Sequence, residues 1–200
     1  GLRDMDAILG RDDRLVAKLV DAADKIDANF AAIVGTPVPA VIGTDYQALK
    51  RMCEKKTDLP ILAIDTDGME LYDKGEEKAY LALFAAFAKE KYEVCKEKVG
   101  ILGMTPQDVS DLKAADKVRE ELKKEGKEAI CYGMGDGLEA VERASEVGKN
   151  IVVSAAALEV AKYLEKTFGT PYEIGYPAAG ELVPNLDYQG KKILVVHQQV

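Results

Sequence analysis

The sequence predicts an α/β protein with two parallel-sheet units, helices on both faces of each sheet, and the first strand of a third unit. Short runs rich in Ile and Val recur along the chain without clean alternation, which is typical of strands buried on both faces of a parallel sheet. Segments with helical periodicity separate these runs. Alternating strands and helices imply parallel strands joined by right-handed crossovers, so both units are expected to be Rossmann-like.

The predicted strands are the short apolar runs between predicted turns. They lie at residues 30–35, 60–65, 99–103, 129–132, 150–154, 172–176 and 192–197. The predicted helices are amphipathic segments at residues 12–26, from Asp45 onward, at 78–97, and from Thr105 to just before Gly126. The Thr-Pro-Gln-Asp run at 105–108 supports the last of these, because Thr suits an N-cap and Pro suits the first helical position.

Three segments follow from this order of elements. Residues 1–96 form the first Rossmann-like unit, which is incomplete at its N-terminus, and residues 97–186 form the second. Residues 187–200 are a linker and the first strand of a truncated third unit. Because the chain begins with Gly1 rather than Met and its last strand has no helix after it, we expect an internal fragment of a longer subunit.

The composition excludes several classes of protein. Apolar residues make up 48% of the 200 residues and charged residues 31%, a balance that excludes a disordered chain. No apolar run approaches the roughly 20 residues that span a bilayer, so we expect no membrane contact. The 27 basic and 35 acidic residues give a net charge of −8, which repels phosphate backbones and argues against a nucleic-acid partner.

The three cysteines, Cys53, Cys95 and Cys131, are widely spaced and form no CxxC pair. A sparse, odd number of cysteines indicates reduced thiols and a cytoplasmic protein. One histidine and no G-x-S-x-G pattern argue against a hydrolase triad, and HExxH and GxxxxGK[ST] are both missing. The sequence therefore assigns no catalytic residue and no metal ligand.

The first candidate ligand loop begins with Gly35 and Thr36, at the carboxyl end of a predicted strand, where parallel sheets bind ligands. Two prolines in the next three residues predict a stiff loop without regular structure. Gly43 and Thr44 then precede a helix, where free N–H groups could hold an anion or the edge of a cofactor. The alternative is a rigid connection capped by Thr44 or Asp45.

Two further loops lie at predicted strand ends. Gly133, Gly135 and Gly137 allow close approach of a ligand, although the acidic residue that a nucleotide site has about 20 residues on is missing, and a plain tight turn is the alternative. The only histidine, His197, ends the last predicted strand and precedes Gln198. His197 is either a ligand-facing group that donates, accepts or ligates, or a structural residue.

One stretch carries a resemblance to a known family. Ile33-Val-Gly-Thr-Pro-Val-Pro-Ala-Val-Ile-Gly-Thr-Asp45 resembles the nitrogenase component 1 family, which has Thr-Cys-Pro, a few apolar residues and then Ile-Gly-Asp-Asp. Residues 8–20 resemble the segment that precedes this strand. Residues 161–171, Ala-Lys-Tyr-Leu-Glu-Lys-Thr-Phe-Gly-Thr-Pro, resemble the family's helix ending in Lys-Tyr-Gly-Ile-Pro. The order and spacing agree over essentially the whole chain.

The resemblance implies Rossmann-like domains around a metallocluster or a tetrapyrrole. It implies a reductase that pairs with a second component 1-like subunit and receives electrons from an iron–sulfur, ATP-dependent reductase. It places this chain in the middle of such a subunit, without the N-terminal region that carries other cluster cysteines and without most of the third domain. An iron–sulfur cluster or tetrapyrrole would then belong to the full-length complex.

Two departures from the family pattern matter. Thr36 stands where the family's bridging cysteine stands, and an alcohol is a far poorer iron ligand than a thiolate. The cysteine that holds the catalytic cofactor of nitrogenase would fall near residues 153–155, which are Val-Ser-Ala here. We therefore expect no cluster on this fragment and no nitrogen fixation. By position alone, His197 and Gln198 match a loop that touches the cofactor.

The leading interpretation is a nitrogenase component 1-like oxidoreductase subunit that reduces an unidentified substrate at a redox cofactor in an inter-domain cleft, the fragment alone being inactive. Loops 35–45, 133–137 and 197–199 would wall the pocket and suit a large polar or anionic ligand. Two alternatives stay open: a non-catalytic module that binds a metal chelate or tetrapyrrole, and a scaffold for cofactor assembly.

Overall fold

A computed structural model describes residues 12–109, 111–177 and 189–192 of the chain. The chain divides into two compact units, Gly1–Ala86 and Phe87–Val200. Each has parallel strands connected through helices, which confirms the predicted α/β class with Rossmann-like units. The expected third-unit strand lies outside the described residues from position 193 onward, as does most of the linker before it.

The first unit has a two-stranded sheet. Its elements are α1 (Asp12–Ala23), β1 (Ala31–Val34), α2 (Pro37–Val41), α3 (Tyr46–Glu54), β2 (Ile61–Ile64) and α4 (Tyr72–Phe87), whose last residue belongs to the second unit. Strands β1 and β2 are parallel, with Ala31 opposite Ile61 and Val34 opposite Ile64. Val16 of α1 and Leu49 of α3 are fully buried against this sheet, so α1 and α3 together cover one of its faces.

The second unit has a four-stranded parallel sheet in the order β4–β3–β5–β6. Its elements are β3 (Cys95–Leu102), α5 (Ala114–Lys124), β4 (Glu128–Cys131), α6 (Leu138–Glu142), a 3₁₀ turn (Ala144–Glu146), β5 (Val147–Val152), a second 3₁₀ turn (Ala155–Ala157), α7 (Leu158–Phe168) and β6 (Tyr172–Ile174). Since β4 and β5 flank β3 on opposite sides, the direction of winding reverses there. The crevice at such a reversal, beyond the carboxyl ends of β3 and β5, is where open α/β sheets bind ligands.

Helices cover both faces of this second sheet. Val99, Ile101 and Ile151 point to one face and pack with Val118 and Leu122 of α5. Successive residues of a strand point to opposite faces. The alternate residues of β3 and β5 therefore face the other side, where α7 packs against both strands.

Three sequence-based expectations about helices are wrong in detail. Residues 37–41 form a short helix rather than an irregular loop, because Pro37 at the first helical position gives up an N–H that would have no partner there. The helix expected over 78–97 is α4, which begins earlier and ends at Phe87. Cys95 instead begins β3.

The helix expected from Thr105 begins at Ala114. Thr105 accepts the Asp108 N–H through Oγ1 at 3.4 Å and the Val109 N–H through its carbonyl at 3.0 Å, which makes a single turn. Leu112, which falls within that expected helix, is 72% exposed. The capping signal therefore closes a turn whose residues lie ahead of the helix. Within the described residues, no helix is long and apolar enough to cross a membrane.

Candidate functional site

The carboxyl ends of β1 and β2 are drawn together at Gly35. The Gly35 N–H donates to the Ile64 carbonyl at 2.9 Å, and Thr66 Oγ1 donates to the Gly35 carbonyl at 2.8 Å. A Cβ at position 35 would lie 2.1 Å from the Thr66 carbonyl oxygen. The glycine is therefore needed for the close approach of the chain's own backbone at this edge.

Thr36 follows at the same edge, and its side chain is exposed. It precedes α2 in an extended conformation, and its hydroxyl makes no capping bond. The phenol of Tyr46, only 7% exposed, lies beneath it. Burial raises the pKa of Tyr46. The Thr36 backbone N–H lowers this pKa, and the charge of Asp65 raises it. Tyr46 is therefore a neutral phenol at neutral pH, directed toward the backbone of Thr36.

The backbone N–H groups of Gly43 and Thr44 are already hydrogen-bonded within the chain. The Gly43 N–H donates to the Ala40 carbonyl at 3.1 Å, and the Thr44 N–H donates to the Pro39 carbonyl at 3.0 Å. The Asp45 carboxylate caps α3 by accepting the Ala48 N–H at 2.8 Å. What remains for a ligand at this loop is the pair of hydroxyls on Thr36 and Thr44.

The glycine loop 133–137 closes on an arginine of the same unit. Asp136 Oδ2 accepts both the Cys131 N–H at 2.6 Å and Arg119 Nη2 at 2.8 Å. Arg119 Nη2 also donates to the Met134 carbonyl at 3.1 Å. A Cβ at Gly135, whose φ is +104°, would lie 2.9 Å from that nitrogen. The group that approaches this loop closely is therefore the guanidinium of Arg119.

Sequence reasoning did not single out Arg119 or Asp136. Asp136 lies between two of the glycines, where Asp-Gly is also an ordinary turn signal. Arg119 lies 17 residues earlier on α5, and no local pattern connects it with the loop. Only the packing of α5 on the sheet brings the two side chains together.

The described cysteines do not fit a shared iron–sulfur cluster. Cys53 and Cys131 are each 0% exposed and belong to the cores of different units. Burial raises the pKa of Cys53, and it raises that of Cys131 to about 11 despite Arg119 nearby. Both are neutral thiols at pH 7, whereas cluster ligands are thiolates. In the described part of the chain, no three His, Cys, Asp or Glu side chains form a group that could hold a metal ion.

The crevice between the carboxyl ends of β3 and β5 is tightly packed at its base. Gly103 has φ +87°, and a Cβ there would lie 2.7 Å from the Ser154 Cβ. Ser154 Oγ accepts the Ala156 N–H at 3.3 Å at the start of the second 3₁₀ turn. Ser154 lies in the stretch 153–155, near which the family resemblance implies a cofactor cysteine. A small buried hydroxyl stands there instead.

A polar edge of the second unit, which the sequence did not indicate, lies around Tyr176. Tyr176 is 37% exposed, and burial raises its pKa, with further raising by Cys131 and Asp111 and lowering by Lys117. Lys117 and Asp111 are paired at 2.5 Å. This edge presents a neutral phenol beside an exposed ion pair.

The predicted site residues thus fall into separate groups. Gly35, Thr36, Gly43 and Thr44 lie in the first unit, and the glycine loop lies in the second. His197 and Gln198 lie outside the described residues.

Two α/β units, each with a parallel sheet and with polar loops at the carboxyl ends of its strands, define a Rossmann-like protein. The chain belongs to the family of nitrogenase component 1 type oxidoreductases, whose model matches residues 1–178. This confirms the resemblance carried by residues 33–45 and 161–171.

Solved structures agree on the fold. Nitrogenase Cp1 at pH 6.5 superposes with a TM-score of 0.72 at 20% identity over 86% of this chain, and Nitrogenase Cp1 at pH 5 gives 0.71 at 20% identity over the same share. The chain spans 34% and 35% of those two solved chains. No curated protein matches it.

Proposed function

We propose that this chain is the central part of an oxidoreductase subunit that reduces a substrate other than dinitrogen at a redox cofactor. Membership of the nitrogenase component 1 type family over residues 1–178 carries the proposal. The cofactor, an iron–sulfur cluster or a tetrapyrrole, would take its covalent ligands from other parts of the full-length complex. Each unit would contribute a strand-end edge of its own, the first the edge that holds Thr36 and the second the edge that holds the glycine loop.

The chemistry of Thr36 supports a substrate other than dinitrogen. The family position that carries a bridging cysteine holds an exposed alcohol here. An alcohol donates and accepts hydrogen bonds but does not replace a thiolate on iron. Thr36 is thus suited to orienting a bound group through its hydroxyl.

The proposed partners are a second component 1-like subunit and an iron–sulfur, ATP-dependent reductase. Support for the first is an apolar surface of the first unit, made by α2 and the loop after β2. A Cβ at Gly68 of this loop would lie 2.8 Å from the ring of Pro37, so the two segments touch. Val41 of α2 and Met69 and Leu71 of the loop are 78%, 72% and 57% exposed, and exposed apolar side chains are what an interaction site requires.

The partner proposal is tested by substitution on that surface. We expect Val41→Asp in the full-length subunit to shift a complex toward monomer in size-exclusion chromatography with light scattering. Ile26→Asp is the control, because Ile26 is 62% exposed but lies on a different segment. Equal behaviour of both variants, with the oligomer intact, would remove this surface from the interface.

The redox function is tested on the full-length subunit, affinity-purified anaerobically with its co-purifying proteins. We expect a visible absorption band from the cofactor that changes when the iron–sulfur partner, reductant and ATP are added together. The 200-residue chain alone, after anaerobic reconstitution, should bind far fewer than the roughly four irons of a cubane cluster. About four irons and matching sulfide per chain would contradict the assignment of ligands to other regions.

The role of Thr36 is tested by Thr36→Ala, with Thr57→Ala as the matched control. Thr57 lies ahead of β2 and only accepts the Leu59 N–H locally. Losing an orienting hydroxyl typically costs about tenfold or more in activity or affinity, so Thr36→Ala should show that loss and Thr57→Ala should not. Wild-type turnover and spectrum in both variants would rule Thr36 out.

A non-catalytic module or an assembly scaffold is the second candidate. The observation that favours it is the loss of cluster thiols: Thr36 stands at the family's cysteine position, and Cys53 and Cys131 are buried in the cores of different units. Tight binding of a tetrapyrrole or metal chelate by the full-length protein, with no ATP-dependent reduction in the presence of its partner, would decide for this candidate.

A further inference from the structure

The segment that joins α4 to β3 has an unusual set of contacts. Residues 88–92, called the strap below, adopt neither helix nor strand. Side chains at positions 89, 90 and 91 are exposed, whereas Ala88 is fully buried. The backbone N–H and C=O groups of such a segment normally hydrogen-bond to water. Here, three of them bond to side chains of the second unit.

Ser145 makes two of these bonds with one hydroxyl. Its Oγ–H donates to the Glu90 carbonyl at 2.8 Å, and the same oxygen accepts the Tyr92 N–H at 2.9 Å. Ser145 is 2% exposed, in the 3₁₀ turn before β5. A buried hydroxyl with both its donor and its acceptor functions used fixes two points of the strap two residues apart.

Two further contacts hold the ends of the strap. The Tyr163 hydroxyl of α7 donates to the Ala88 carbonyl at 3.2 Å. The Arg143 guanidinium lies 4.8 Å from the centroid of the Tyr92 ring, a cation–π arrangement.

Arg143 is itself held in place. It donates from Nε and Nη2 to the two carboxylate oxygens of Glu146, each at 3.0 Å. Glu146 also pairs with Lys98 of β3 at 3.1 Å. A bidentate arginine is geometrically restrained, so the guanidinium is presented to Tyr92 from a fixed base.

We propose that Ser145, Arg143 and Tyr163 pin the strap to the second unit, so that the joint of the chain between the two units is confined to the end of α4 at Phe87. The strap then moves as a part of the second unit rather than as a flexible linker. Ser145 and Arg143, at the turn before β5, hold the Glu90–Tyr92 end of the strap, and Tyr163 of α7 holds the other end at Ala88. This inference does not depend on the redox function and tests separately from it.

Amide exchange of the Tyr92 N–H in the full chain provides the first test. Losing the Ser145 hydroxyl removes two hydrogen bonds, and each is worth a factor of about 2 to 13. Ser145→Ala should therefore speed exchange at Tyr92 about tenfold or more. The Ala156 N–H, which donates to Ser154 Oγ, should be unchanged.

Ser154→Ala is the matched control, because it also removes a buried serine hydroxyl from the second unit. It should speed exchange at Ala156 and leave Tyr92 unchanged. Equal acceleration of Tyr92 in both variants would mean general loosening of the unit and would overturn the proposal, as would unchanged Tyr92 exchange in Ser145→Ala.

Limited trypsin digestion tests the strap itself. The Lys91–Tyr92 bond is exposed, but a protease needs it in an extended, mobile form. Its cleavage rate is measured relative to that at Lys56, an exposed turn residue of the first unit. The ratio should rise about tenfold in Ser145→Ala, from the same two lost hydrogen bonds, and stay at the wild-type value in Ser154→Ala.

A variant outside the core keeps the test decisive if Ser145→Ala folds poorly. Tyr92→Leu removes the ring that Arg143 contacts and leaves Ser145 in place. It should raise the Lys91 cleavage ratio and lower the backbone order parameters of the strap, which in the wild type should match the roughly 0.85 of rigid strands. Low order parameters in the wild type would show that the strap is a free linker, and no change in Tyr92→Leu would show that Arg143 does not pin it.

Discussion

Gly100 and Asn150 make the sharpest packing prediction in the molecule. They lie opposite each other on β3 and β5. A Cβ at position 100 would stand 2.1 Å from Asn150 Oδ1, 3.3 Å from Asn150 Cγ and 3.0 Å from Tyr132 Cε2. Asn150 is fully buried, so its carboxamide cannot swing into solvent. Gly100→Ala should therefore cost about 3 kcal/mol, as overpacking of a closed core does.

Asn150→Ala should change the free energy of unfolding by less than about 1 kcal/mol. Among the residues that the structure describes, neither Oδ1 nor Nδ2 of Asn150 finds a hydrogen-bond partner. Removing two buried, unpartnered polar atoms gains about what the lost packing costs. In the double variant the new methyl group takes the space of the carboxamide, so the cost of Gly100→Ala should fall to about 1 kcal/mol.

The assay is urea unfolding of all four proteins in the cycle, followed by circular dichroism and by amide exchange of β3 and β5 to assign the change to the second unit. The coupling free energy should be about 2 kcal/mol. Gly103→Ala is the control, since its methyl group would meet Ser154 rather than Asn150, and Asn150→Ala should not rescue it. A coupling below about 0.5 kcal/mol would refute the reasoning.

Three further predictions concern the loops and the acid range. Asp136→Ala should cost about 2–3 kcal/mol, because it removes a charge-assisted hydrogen bond from Arg119 and leaves the Cys131 N–H without its acceptor. Gly35→Ala should cost about 3 kcal/mol, because its methyl group would overlap the facing strand-end backbone. The bidentate arginine and then Lys98 lower the pKa of Glu146. Its stabilisation is therefore full above the unfolded pKa of glutamate and is lost as pH falls through the lower pKa of the folded state, a loss that Glu146→Gln should remove.

The two loop predictions each have a matched control. Asp116 pairs with the same arginine at 3.3 Å but is 69% exposed, so Asp116→Ala should cost under about 0.5 kcal/mol. Gly43→Ala meets no atom within 4 Å and should cost only about 1 kcal/mol for its φ of +71°. Urea midpoints check both pairs, and equal costs within either pair would contradict the assigned contacts. Acid titration of stability checks Glu146, and an unchanged acid limb in Glu146→Gln would show its pairing to be irrelevant.

The architecture could be predicted from the sequence because strands and helices each have a local pattern of apolar residues. The predicted strands at 30–35 and 60–65 became β1 and β2 with ends moved by only one residue, since each is a short continuous apolar run. The expectation of burial on both faces is wrong for β1, where Ala32 and Val34 are exposed. Helix ends were less accessible. Residues 88–94 are as charged as a helix surface, and only the strap contacts with Ser145 explain why the helix stops at Phe87.

The candidate loops were also found by sequence, but their occupants were not. A glycine after a strand indicates that some group approaches the backbone closely, but it does not identify that group. At Gly35 it is Thr66, 31 residues away, and at Gly135 it is Arg119. In both cases the partner is set by which strand and which helix pack side by side.

The amino-acid sequence by itself therefore determined the α/β class, the parallel strands and the family, because each depends on patterns within a few dozen residues. Only the tertiary structure decided that Asp136 closes the glycine loop, that Asn150 fills the space over Gly100 and that Ser145 pins the strap. These contacts join residues that are distant in the chain or that lie on different elements. Their geometry follows from strand order and helix packing, which no local pattern encodes.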